Sequence, residues 1–116
     1  METRLQDGET PIKDGPANLQ RGAETVGGRL YLTSHRLIFE SHRFNLQTGA
    51  TVVALDEVES VEKCWTRFLN LIPLFPNSIA VKTRDGTGLR LVVMGREAWI
   101  VAIDRAPGLT PAPPTA

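Results

Sequence analysis

Apolar and polar residues alternate along most of this chain. Gly27 to Ser41 reads GGRLYLTSHRLIFES, with Leu30 and Leu32 set against Arg29, Tyr31 and Thr33, then Leu37 and Phe39 against Arg36, Ile38 and Glu40. Successive side chains of a strand point to opposite faces, so a period of two marks a sheet with one buried face. The short polar step Ser34-His35 divides the run and predicts a hairpin with Leu30, Leu32, Leu37 and Phe39 on its core face. Gly27-Gly28 predicts a sharp bend just before it. Upstream, Ala17 and Leu19 alternate with Asn18 and Gln20, a short first strand over 17–21. Residues 1–14 are rich in glycine, proline and charge and predict a flexible arm.

Thr51 to Leu55 is β-branched and apolar and predicts a further strand. A turn at Leu55 to Val58 leads to a strand from about Glu59. Thr66 to Asn77 predicts a loop, because Pro73 and Pro76 remove donors from a ladder. Ser78 to Arg84 alternates, with Ile79, Val81 and Thr83 on one face. Asp85-Gly86 is a hairpin signal, and Leu89, Leu91 and Val93 return as its partner strand. From Arg96 the period changes: Trp99, Ile100 and Ile103, with Ala102 beside them, predict a helix that Pro107-Gly108 stops. Residues 106–116 predict a disordered proline-rich tail. The sum is a mainly β domain over 15–105. Its seven short antiparallel strands must close or fold over to hide their edges, and the helix plugs the open end.

Composition narrows the function. The 116 residues fit one domain, and 13 basic against 13 acidic residues leave a formal charge of zero. No net field gathers nucleic acid, so nucleic acid is not expected as a partner. The single cysteine, Cys64, permits no internal disulfide. The N-terminal residues show no signal peptide, and no apolar run approaches the roughly 20 residues of a membrane helix. The expected setting is cytoplasmic, free or peripheral to a membrane.

Three constellations carry candidate chemistry. Arg21, Arg29, His35, Arg36, His42 and Arg43 form a basic lip, and guanidinium forks suit phosphate or acidic peptides. The alternative is that strand alternation alone places them on solvated faces. Trp65, Arg67, Phe68, Leu69, Leu71, Ile72, Leu74 and Phe75 form an apolar run. It fits a partner, a homodimer seam, shallow membrane insertion, or a cover over the barrel's own end. Asp56, Glu57, Glu59 and Glu62 form an acidic stretch that suits a basic partner or a solvated turn.

Catalytic patterns are missing. Ser34 and His35 are neighbours, and adjacent strand residues point apart, so no dyad is expected. Cys64, His35 and His42 lack the close pairing of zinc ligands, and Cys64 fits a small buried apolar role. No metal, cofactor or catalytic residue is expected.

The run GGRLYLTSHRLIF, the strand pair around Asp85-Gly86 and a terminal helix with a tryptophan resemble the GRAM domain of the pleckstrin-homology-like superfamily. The family pattern falls on Leu30, Leu32, Thr33, Arg36, Leu37, Ile38 and Phe39, and the similarity extends from about Ala17 to Ile103. It resembles the small stand-alone bacterial versions, since the chain is nearly the domain alone. The resemblance implies a seven-stranded split barrel capped by one helix. It also implies a non-enzymatic module that binds lipid headgroups, membrane surfaces or proteins. On that reading Arg29, His35, Arg36 and Arg43 contact the ligand, and the 65–75 run contacts a partner or membrane. The rival reading is a self-associating homodimeric scaffold built on that run and a sheet edge.

Overall fold

The computed structural model describes residues 1–21, 24–42, 50–68 and 72–107, with the side chains at 21, 65–68 and 72–77 outside the description. Among the described residues seven strands precede one helix: β1 (Pro11–Arg21), β2 (Glu24–Thr33), β3 (Arg36–Ser41), β4 (Thr51–Ala54), β5 (Val58–Phe68), β6 (Ile72–Thr83), β7 (Gly88–Val93) and α1 (Arg96–Asp104). All pairings are antiparallel, in the order β4-β3-β2-β1-β7-β6-β5. The sheet is open, with β4 and β5 at its two edges. This is the expected split barrel with its C-terminal helix.

The expected core face is the core. Leu30, Leu32, Leu37 and Phe39 are buried with Ala17, Leu19, Ile79, Val81, Leu91 and Val93. Leu30 opposes Phe39 and Leu32 opposes Leu37, as the hairpin reading requires. From α1, Trp99 and Ile103 join this cluster, and Ile100 and Ala102 pack against it. Full burial of each large side chain is worth about 1.5–3 kcal/mol, which holds so short a helix on the sheet. A Cβ on Gly15 would sit 3.6 Å from the Trp99 ring, so β1 passes directly over the indole.

Four expectations are corrected. β1 starts at Pro11 and pairs with β2 along its length, so residues 11–14 are strand and not arm. Residues ahead of it are pinned: the Glu2 and Thr3 amides and the Thr3 hydroxyl donate to the Glu40 carboxylate. At the other end of β3, Glu9 binds Arg36, and the Thr10 amide donates to Ser34 Oγ. Ile38, between these two anchors, is fully buried although alternation puts it on the polar face.

Second, Gly27 and Gly28 lie within β2 rather than ahead of it. A Cβ at Gly28 would approach the Glu40 carbonyl oxygen to 2.2 Å and the Phe39 ring to 2.8 Å, so close strand approach explains the residue. Third, β5 runs to Phe68 and β6 starts at Ile72, so most of the expected loop is strand. β7 pairs with β6 only over Ser78 to Lys82. Pro73 and Pro76 therefore lie where β6 has β5 as its sole neighbour among the described residues, an edge-like situation that tolerates proline. Fourth, Ala106, expected in the disordered tail, is buried. The tail from 108 on, and the 43–49 segment with Arg43, lie outside the described residues.

Candidate functional site

The β2-β3 turn is built by one hydroxyl. Thr33 Oγ1 accepts the amides of His35 at 3.1 Å and Arg36 at 2.9 Å, and itself hydrogen-bonds Glu9. Ser34 and His35 therefore lie in a turn, where strand alternation does not apply, and Ser34 Oγ meets His35 Nδ1 at 2.9 Å. Ser34 Oγ also accepts the Thr10 amide, so this contact, unexpected from the sequence, belongs to the turn's own hydrogen bonding.

Arg36 does not face solvent as a free cation. Its Nε and Nη2 donate to the two Glu9 oxygens at 2.8 and 2.7 Å, and Nη2 also donates to the Arg4 carbonyl. The Glu9 side chain is fully buried and the Arg36 side chain nearly so. Arg36, helped by Thr33 and the Gln6 amide against the cost of burial, holds the Glu9 carboxyl down to about 2 from 4.5. Glu9 in turn raises Arg36. Burial pushes the Glu40 carboxyl up, but the Thr3 and Glu2 donors outweigh it, so the group lies below its ordinary value.

Arg29 sits on the outer face of β2 with its guanidinium 2.7 Å from Asp14, both about half exposed. His35 is exposed at the β2-β3 turn, and His42 lies past the far end of β3. At about 3.3 Å per residue these two histidines are roughly 20 Å apart. With Arg21 at the end of β1, the described members of the basic lip do not gather at one place, and Arg29 and Arg36 are already ion-paired. Trp65, Arg67 and Phe68 lie on β5, and Ile72, Leu74 and Phe75 on β6, with side chains outside the description; Leu69 and Leu71 fall outside it altogether.

Cys64 is half-buried, with its thiol pushed up by burial. In the acidic stretch, Asp56 and Glu57 offer carbonyls to Arg84, and Glu62 pairs with Lys82 at 3.4 Å. Asp85 caps the β6-β7 turn: the Thr83 and Thr87 hydroxyls and the Thr87 amide hold its carboxyl down to about 2. Among the described residues every buried side-chain nitrogen and oxygen has a partner, and no group of three or more His, Cys, Asp or Glu is placed to hold a metal.

Three concavities stand out among the described residues, one of them, of about 320 Å³, beside Ala17, Asn18, His42 and Met94. A shallow one of about 350 Å³ lies on the outer face of β1, β2 and β3, among Pro16, Arg29, Tyr31, Glu40, Ser41 and His42. A larger one of about 600 Å³ runs between the start of β1 and the outer side of α1, lined by Ile12, Lys13, Ala98, Val101, Ala102 and Arg105. Ile12 is 45% exposed and Val101 47%. Sequence reasoning missed this groove. Its signal was there: Val101 stands one position off the core stripe of α1, and Ile12 interrupts the polar N-terminal run.

No helix among the described residues is long and apolar enough to cross a membrane. Several solved structures share the fold. The C-terminal domain of an unknown protein from Leishmania infantum is 21% identical, with a TM-score of 0.68 over 90% of this chain and 88% of that one. The Vps36 N-terminal PH domain is 19% identical, with a TM-score of 0.65 over 87% of this chain and 83% of that one. The N-terminal PH domain of human ARAP2 is 11% identical, with a TM-score of 0.61 over 100% of this chain and 99% of that one. A search of the curated proteins found no match. The family model for the GRAM domain matches residues 1–90. Domains of this kind are generally non-catalytic modules that bind lipids or proteins. With most of its length matched by that model and the strand order to go with it, the chain belongs to the GRAM domain family.

Proposed function

We infer that this chain is a non-enzymatic binding module whose partner is a protein rather than an anionic membrane surface. One observation carries the reading: Arg36, one of the four residues expected to contact the ligand, already holds a buried carboxylate. Arg36 is committed by a buried bidentate pair, and releasing it would leave Glu9 charged and dry. The Arg29 pair is exposed and therefore weak, so Arg29 stays available at the rim of an interface. His35, Arg43 and the apolar run from Trp65 to Phe75 complete the proposed contact residues.

Vesicle co-sedimentation tests this directly. At low salt, vesicles containing phosphatidylserine and phosphoinositide are expected to retain no more protein than neutral vesicles. Selective retention that Arg29→Ala plus Arg43→Ala abolishes would overturn the reading. Sedimentation velocity separates the homodimer: a single monomeric species at high concentration is expected, and a concentration-dependent dimer would favour the scaffold.

A further inference from the structure

The groove between β1 and α1 differs from the basic lip in what its charges touch. Glu97 lies on its wall, and the Glu97 carboxylate is paired with Lys63 of β5. Lys13 and Arg105, also on the wall, have no carboxylate partner among the described residues. The Lys13 ammonium lies 5.1 Å from the centre of the Trp99 ring, which fixes it beside the groove without neutralising it. The floor between them is aliphatic: Ile12, Ala98, Val101 and Ala102. The concavity thus joins an apolar trough to two unspent positive charges.

We propose that this groove docks an acidic, aliphatic peptide segment of a partner protein. The aliphatic side chains cover Ile12 and Val101, and flanking carboxylates meet Lys13 and Arg105. This inference rests on the protein-binding reading and adds to it a second contact surface, apart from the residues named above, with its own ligand chemistry. The physical basis is complementarity of both kinds. Covering the two exposed aliphatics removes apolar area from water, and the partner's carboxylates supply the opposite charge the fold does not. A basic peptide would set like charges against each other.

The experiment is a peptide array probed with the full chain. Its peptides share short aliphatic cores and carry glutamate, glutamine or lysine flanks. Glutamate-flanked peptides are expected to be retained selectively. Amide shifts on titrating the best of them should concentrate at 12–13 and 97–105. Arg105→Glu and Val101→Asp alter exposed positions and leave the core intact. Each should weaken that peptide about tenfold or more, and Lys13→Glu with Arg105→Glu should turn selection toward lysine flanks. Equal retention of glutamine and glutamate peptides, retention unmoved by Arg105→Glu, or no retained peptide at all would overturn the inference. Binding that maps to the β2-β3 face would overturn it while sparing the protein-binding reading. Anionic vesicles retained in place of any peptide would overturn both.

Discussion

Arg36 and Arg105 look alike in the sequence and have opposite fates in the fold. Arg36 ends in a bidentate pair with a fully buried carboxylate, beneath a segment that reaches back from the N-terminus. Arg105 follows the last turn of α1, exposed, with no carboxylate partner among the described residues. A count of basic residues treats the two as equal candidates for a ligand. The difference teaches that a cation can be consumed by folding, and only the one left over can recruit a partner.

The comparison is most sharply broken by removing each cation in turn. Arg36→Ala strands the buried Glu9 carboxylate and should cost about 3–5 kcal/mol in urea unfolding. A next-largest effect is set by pH. The Glu9 carboxyl is held at about 2 in the folded chain against 4.5. A depressed carboxyl stabilises the fold above its unfolded value, so this stability should be present above about pH 4.5 and drain away as pH falls toward 2. The stability so lost is on the order of 3 kcal/mol. Glu9→Gln should remove that slope, which stability measured across this range reads directly.

Gly28→Ala tests whether the layer between core and N-terminal segment is as tight as the geometry says. The added methyl meets the Glu40 carbonyl rather than a flexible side chain, so a loss of about 1–3 kcal/mol is expected from thermal unfolding. The smallest effect belongs to Arg105→Ala, which should change stability by less than about 0.5 kcal/mol. A large loss there would mean that Arg105, too, is spent on the fold.

The inner layer was legible because its signal is local. Leu30, Leu32, Leu37, Phe39, Ile79, Val81 and Trp99 lie where period and spacing put them, and all are buried. The outer layer was not, because it depends on partners distant in sequence. Nothing near Ile38 announces that residues 2–10 will cross its face, and nothing near Arg36 announces Glu9, 27 residues earlier. Pro73 and Pro76 misled for a related reason. Proline forbids a central strand, but whether β6 is central at those positions depends on where β7 stops. The groove was hidden likewise, since Ile12 and Arg105 stand at opposite ends of the domain and meet only when β1 passes α1.

The most direct measurement is hydrogen exchange at the arginine Nε–Hε groups, read by NMR on the full chain. The account predicts strong protection for Arg36, whose Nε donates to buried Glu9, and exchange at the rate of free arginine for Arg105. Equal exchange at the two, or protection at Arg105 alone, would contradict it.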